Sequence, residues 1–390
     1  AGNVAKWKKY ANSLRMRLAM RISAVDPALA KAEFEDAASK TFISEPTDIA
    51  SVQEKEGWDE LTSVMSRPWN GQAMSVTFKN LVVGLGGQEF PLPDSLKSHL
   101  KNPYDYQGLY LNQHFPLTTN DPCAGFYFDG IPQYVDPRAP KLFSVVGWDD
   151  GVVYSDYIGA ASEVKPVHLK NPADNTQNML TIDPKYTWGT WVAGEWDVKA
   201  GLVSELTGKN YNYPSISKQY RMSTNKRVFF GPWESYFLIA EAALKGWNVA
   251  GSVEEHYRKG VRAAMDFLTD NYGCDKITDE EFDNYMANNI IGYTVEQKKA
   301  SINTQAWILH FTNPLECWAN LRRSNYPQLK SPAEYGFSQV LTGGAAIPVR
   351  LCYPVLESSY NKKNYEEALE RMGGNNSWNT PVWWDKNNVQ

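Results

Sequence analysis

The amino-acid sequence predicts a mainly α fold: a body of helical hairpins, close in length to tetratricopeptide units, that carries a large loop-rich, aromatic insertion. Three observations lead there. Apolar residues recur at three- and four-residue steps near both ends of the chain, the period of a helix. Helix-start signals of the S/T-x-x-E/Q kind cluster beyond residue 250. Between Thr41 and Phe230, Pro and Gly recur every few residues and periodicity is short or absent. The chain has 390 residues and is 43% hydrophobic, enough for a sizeable core.

Val4 to Ala24 read as the first helix, with Trp7, Leu14, Leu18 and Ile22 forming one apolar stripe, the face that such a helix buries. Asp26 followed by Pro27 is a cap and a first-turn proline, which starts a second helix through about Ser39 and makes a hairpin of the pair. The long middle stretch holds short aromatic pieces at Leu109–His114 and Phe126–Phe128, a segment at Ser75–Val83 that fits a helix or a strand, and a loop-like run from Asp183 to Pro214. A run of that length in a compact protein is functional or disordered, and its aromatic content argues against disorder. Helices return at Pro232: Trp233, Phe237, Ala240, Glu241 and Leu244 line one that stops at Gly246. Ser252 with Glu255 opens the next, whose stripe is Tyr257, Val261, Ala264 and Leu268. Thr278 with Glu281 and Thr294 with Gln297 are two further capping boxes; the second starts a helix to about Phe311 with Ile302, Trp307 and Ile308 as core candidates. Asn364 with Glu367 starts a short final helix that ends at Gly373-Gly374.

Composition and motifs exclude several functions. A net charge of -5 is wrong for a phosphate-backbone partner. No run reaches the ~18 apolar residues that span a bilayer, and the sequence opens at Ala1-Gly2-Asn3 without the pattern of a secretory leader. Cys123, Cys274, Cys317 and Cys352 are widely separated with no CxxC, which excludes a zinc knuckle or thioredoxin-like site; buried free thiols are expected, with a disulfide between any two as the alternative that spacing does not decide. His99, His114, His168, His256 and His310 are scattered; no HExxH, GxSxG or Walker A motif is present. Gly84-Leu85-Gly86-Gly87 resembles a dinucleotide loop, but Pro91 and Pro93 block the helix that such a loop needs. Asp149, Asp150 and Asp156 stand in an aromatic loop with Trp148, Tyr154 and Tyr157; they read as a solvated turn, with a structural calcium ion ahead of glycoside catalysis as the functional alternative. No other cofactor is expected.

The positive signal is aromatic. Trp (14), Tyr (22) and Phe (15) make up 13% of the chain. A sugar ring presents an apolar C–H face that a flat indole or phenol covers at low entropic cost, while nearby amides bond its hydroxyls. Trp188, Trp191, Trp196, Asn210, Tyr211 and Tyr213, with Tyr154 and Tyr157, supply that mixture and are the candidate ligand-binding residues; any one of these rings taken singly reads equally as cover for the helical core.

Five stretches follow one another along the chain: Trp7 through Ala19 (a W-x-x-x-A-N-S-L-R-x-R helix), Asp136-Pro137-Arg138, the helix around Ala240-Glu241-Ala242 with Gly260-Val261-Arg262, the run Gln305-Ala306-Trp307 to Pro327 with Arg322-Arg323, and Ile347 to Pro354 followed by Trp383-Trp384. In that order they resemble the SusD/RagB family of Bacteroidetes outer-membrane lipoproteins. The resemblance implies one SusD-like domain over 1–390: a hairpin at 1–40, a loop-rich ligand-facing region at 41–230, helical hairpins at 231–313, and C-terminal loops with a short helix at 314–390. It implies a protein without catalysis of its own that captures oligo- or polysaccharide on the outward face of the outer membrane and delivers it to a SusC-like TonB-dependent transporter. It also implies a lipid on an N-terminal Cys ahead of Ala1, so the sequence reads as N-terminally shortened. Asp136-Pro137-Arg138 and Arg322-Arg323 are expected to be structural, with each arginine paired to carboxylates and carbonyls. The competing expectations are a peptide or glycoprotein ligand for the same uptake system, a helical scaffold with a protein partner alone, and, last, a glycoside hydrolase.

Overall fold

The computed structural model describes residues 2–53, 78, 81–82, 118–119, 136–144, 167–170, 178–182, 215–216, 219, 225–288, 291–329 and 348–386. The chain forms two compact units, one of Ala1–Ile49, Phe230–Val261 and Ile291–Gln390, the other of Ala50–Phe229 and Arg262–Ile290.

The first unit is helical. Its longer helices are α1 (Val4–Arg21), α2 (Pro27–Ala38), α3 (Pro232–Leu244), the start of α4 (Val253–Tyr272), α6 (Val295–Leu309), α7 (Pro314–Ser324) and α8 (Lys362–Arg371); α5 (Asp279–Asn288) belongs to the second unit. Local signals set their ends. Asn3 caps α1 and Asp26 caps α2 by accepting from Lys6 N and Leu29 N, and Pro27, Pro232 and Pro314 occupy first turns where no amide is needed. Thr294 and Gln297 close a reciprocal capping box on α6. α3 ends in a Schellman turn: Gly246, at φ +72°, and Trp247 donate back to the carbonyls of Ala243 and Ala242. α7 ends on Asn325, also left-handed at φ 63°, a conformation that Asn tolerates.

The helices stack in the order α2, α1, α3, α6, α7, each packed on the next. The core between them includes Met16, Met20, Phe34, Ile43, Phe237, Ile302 and Ile308. The Phe34 ring lies 5.2 Å from that of Trp247, and Glu35 accepts from Asn248 N at 2.6 Å, which joins α2 to the turn after α3. Of the core candidates on α6, Ile302 and Ile308 are buried and Trp307 is half-buried.

Three expectations are corrected. The stripe Trp7, Leu14, Leu18 and Ile22 is not the buried face of α1: Trp7 is 62% and Leu18 53% exposed, while Ser13, Met16, Ala19 and Met20 face the body. α1 is apolar on two sides, and the side with small or unbranched residues admits α2 and α3 more closely than one bearing an indole. The stretch after residue 313, expected to be loops and one short helix, begins with α7. Asn313-Pro314 and Asn325 stand at its ends, but its inner face is polar (Asn320, Arg323), which hides the period. α8 starts at Lys362, ahead of the Asn364 start, and Asn361 at its N-terminus makes no side-chain cap bond.

The second unit contains the short strands. β1 (Ala50–Gln53) pairs with β7 (Lys226–Phe230). β2 (Thr118–Thr119), β4 (Val167–Lys170) and β5 (Asn178–Ile182) form an antiparallel three-stranded sheet, with Val167 opposite Ile182, Leu169 opposite Leu180 and an irregularity at Leu169/Lys170. β3 (Phe143–Ser144) pairs with β6 (Ser215–Ile216). Thr278 and Glu281 bond reciprocally at the start of α5, and Arg262 of α4 donates to the Ile277 carbonyl at 3.0 Å.

Gly260 shows how closely helices approach in the first unit. A Cβ there would lie 2.6 Å from Phe237 Cε1, and Phe237 is only 2% exposed, so its ring has nowhere to turn. Gly260→Ala is expected to destabilise by about 1–3 kcal/mol through overpacking, despite alanine's higher helix propensity. A shift of the urea midpoint checks it; a rise would mean that the ring yields.

Candidate functional site

The polar centre of the first unit is built from charges that the helices bury. On α3, Glu234 and Glu241 stand seven residues apart among apolar neighbours, 6% and 3% exposed. α1 presents Arg17 and Arg21, one turn apart; α7 presents Glu316 and Arg323. Arg17 forks onto Glu234 at 2.5 and 2.7 Å, and Arg21 donates to Glu316 at 2.6 Å. Arg323 forks onto Glu241 at 2.6 and 2.8 Å and also donates to Asn303 and Asn320 at 2.9 and 2.7 Å. Two-point forks of this kind fix orientation as well as charge. They tie α1 to α3, α1 to α7 and α7 to α3.

Between them lies a cavity of about 30 Å³ lined by Arg17, Arg21, Glu234, Glu241, His310 and Arg323 among others. That is room for about two waters, since one needs roughly 10–15 Å³. It is far below the ~300 Å³ at which ligand clefts begin. Burial raises the carboxyls of Glu241 and Glu316, but the arginine charges beside them outweigh it and both end below the usual carboxylate range. Arg17 is pulled down by burial and, more strongly, up by the charge and hydrogen bonds of Glu234. His310 is held below its ordinary value, chiefly by burial. The centre is therefore a neutralised clamp, and its chemistry is cohesion of the helices.

The C-terminal motifs are stapled to the same unit. Trp318 Nε1 donates to the Pro348 carbonyl and Arg322 to that of Val349, both at 3.0 Å. The Arg322 guanidinium sits between two indoles, 3.9 Å from the centre of Trp318 and 4.7 Å from Trp384, with Arg21 on Trp384 at 5.6 Å. Arg350 stacks on Tyr353 at 4.8 Å and bonds Asn376, whose amide in turn bonds the Tyr353 backbone. In the second unit, Arg138 folds back on Asp136 at 2.7–3.1 Å and reaches Tyr285 Oη at 3.2 Å. The arginines of Asp136-Pro137-Arg138 and Arg322-Arg323 are thus spent on internal partners.

The candidate ligand residues Tyr154, Tyr157, Trp188, Trp191, Trp196, Asn210, Tyr211 and Tyr213, and the carboxylates Asp149, Asp150 and Asp156, lie outside the described residues. Among the described residues no three His, Cys, Asp or Glu gather as a metal site, and no helix is long and apolar enough to cross a membrane. Cys274 is buried, Cys317 and Cys352 half-buried, and all three are free thiols; burial pushes Cys274 up to about 11 and Cys317 up to about 12. Cys123 lies outside the described residues. Of the ion-pair clamp, sequence reading singled out Arg323 alone; Arg17 and Arg21 carried no such expectation. Its missing signal was the pair Glu234 and Glu241, two acids on one face of an otherwise apolar helix.

Comparison with known proteins adds the following. The family described as "SusD-like: Susd and RagB outer membrane lipoprotein" matches residues 1–88 and 197–385. Among solved structures, a Bacteroidetes SusD-like protein (AC2a) is 29% identical with a TM-score of 0.63, covering 100% of this chain and 70% of its own. A chitin-binding protein is 26% identical with a TM-score of 0.63, covering 98% of this chain and 65% of its own. A chitin-binding SusD homologue of Flavobacterium johnsoniae shares the fold at 21% identity and a TM-score of 0.58, covering 100% of this chain and 65% of its own. The chain thus spans about two thirds of the length of these neighbours. No curated protein matches it in sequence.

Proposed function

The chain belongs to the SusD-like family, the SusD and RagB outer-membrane lipoproteins, and on that premise we propose that it is a surface glycan-binding protein that passes oligo- or polysaccharide to a SusC-like TonB-dependent transporter. It captures and delivers, and carries no catalytic step. It is held on the outward face of the outer membrane by a lipid. The observation that carries the reading is the family match over both ends of the chain; a 26% identical neighbour that binds chitin supports sugar as the ligand class. The internal saturation of the helical clamp points the same way. Its arginines and glutamates are occupied with each other, so ligand chemistry falls to the insertion, where Trp188, Trp191, Trp196, Tyr154, Tyr157, Asn210, Tyr211 and Tyr213 offer rings to stack on and amides to bond hydroxyls.

Electrophoresis through gels that contain soluble polysaccharides, glycol chitin first, tests this. Retardation is expected in at least one gel. Trp188→Ala, Trp191→Ala and Trp196→Ala are run beside the parent, and at least one should weaken retention about tenfold, some 1.4 kcal/mol, with unchanged circular dichroism. If no polysaccharide retards the folded parent, the glycan reading fails and a peptide ligand takes its place.

A further inference from the structure

The cavity between α1, α3, α6 and α7 carries a balanced set of charges and one further titratable group. Arg17, Arg21 and Arg323 line it together with Glu234, Glu241 and Glu316, three cations against three anions. His310 lines the same cavity from the short turn His310–Thr312 that joins α6 to α7, and it is buried. The charges that act on it come from Arg17 and Arg21 of α1, Glu234 of α3 and Glu316 of α7. Glu241 and Arg323 are the remaining charges of the wall, and α6 lines it with Asn303 but with no titratable group.

The three ion pairs are not equally firm. Arg17 and Arg323 hold Glu234 and Glu241 by two-point forks between side chains at most 10% exposed. Arg21 holds Glu316 at one point, 2.6 Å, and the two side chains are 19% and 23% exposed. The other cation near Glu316 is Arg17, at 3.7 Å. Glu316 is therefore the acid that changes partner at least cost, because a partly solvated one-point bond is weaker than a buried fork. A proton on His310 makes a fourth cation where three anions are already matched. Burial opposes that charge, so the ring takes its proton more readily once the clamp has opened. Acid thus favours the open form.

We propose that this cavity is an acid-operated switch: a solvent proton on His310 draws Glu316 away from Arg21, which releases the last turn of α1 and the Trp384 indole that Arg21 covers, while both forks stay closed. The inference concerns regulation of the helical body and stands apart from the sugar-binding reading, which rests on the insertion.

Hydrogen exchange of the full chain, read by mass spectrometry at about pH 7.5 and about pH 5.5 and corrected for intrinsic rates, tests this. Amides of Leu18–Ile22 and Cys317–Leu321 should lose protection at least about tenfold at the lower pH, while those of Phe237–Leu244, held by the forks, keep theirs. His310→Gln should abolish the loss. Glu316→Gln, with no charge to exchange, should show the loosened ends at both pH values. Equal protection of the parent at both pH values overturns the proposal, as does a loss that spreads evenly through α3, which is ordinary acid unfolding. A pH effect that survives in folded His310→Gln does the same, since another group then carries it. If His310→Gln does not fold, the parent and Glu316→Gln decide: firm ends in Glu316→Gln at the higher pH overturn the proposal.

Discussion

Glu241→Leu is expected to cost the helical body about 3–5 kcal/mol, among the largest effects of any single substitution in it. The cost comes from what remains. Arg323 is nearly inaccessible, and without the carboxylate its guanidinium loses a two-point charged fork, while its bonds to the side-chain oxygens of Asn303 and Asn320 are between a cation and neutral groups. A buried cation that loses its carboxylate bears more of its desolvation penalty uncompensated. Removing both members should be milder: Glu241→Leu with Arg323→Met takes out both charges and fills similar volume, so the double variant should be more stable than Glu241→Leu alone. Urea unfolding of the two single variants and the double variant measures the coupling. A loss below about 1 kcal/mol in Glu241→Leu would place the pair in the class of exposed surface bridges and contradict the clamp.

Stability is also expected to fall in two steps as pH drops below neutral. The upper step belongs to His310, which faces Arg17 and Arg21 of α1, Glu234 of α3 and Glu316 of α7. Its pKa is lowered in the folded state, so the unfolded chain takes up the proton first. The stability it contributes is complete above the ordinary histidine value of about 6.5 and drains as pH falls from there through the folded value. The lower step belongs to Glu241 and Glu316, also lowered when folded. Their contribution is complete above about 4.3 and is lost as pH falls through their folded values. Each group contributes at most about 1.4 kcal/mol per pH unit within its window. Unfolding midpoints from pH 8 to pH 3 should show both steps, and His310→Gln should remove the upper while leaving the lower. A profile flat between about pH 7 and 5 would mean that His310 is not held neutral by its burial.

Much of this architecture could be read before any coordinates. Helix starts were legible because a cap is a local bargain between one side chain and the next turn: Asp26-Pro27, Ser252, Thr278 and Thr294 all stand where helices begin. The stripe Tyr257, Val261, Ala264 and Leu268 is buried as its spacing implied, since α4 has one apolar face and hence one way to lie. α1 defeats the same logic. With apolar residues on two faces, periodicity proves a helix but cannot choose which face turns inward; the fit of Met16, Ala19 and Met20 against α2 and α3 makes that choice.

By itself, then, the sequence determined the mainly helical class, most helix starts and membership of the family, because these rest on short-range patterns and ordered motifs. Tertiary structure alone decided the pairing of charges. Arg17 finds Glu234 across 217 positions and Arg21 finds Glu316 across 295. Nothing local distinguishes those acids from the others in the chain. Coulomb attraction becomes selective only after packing has excluded water and lowered the local dielectric, so that each buried charge must meet one opposite partner.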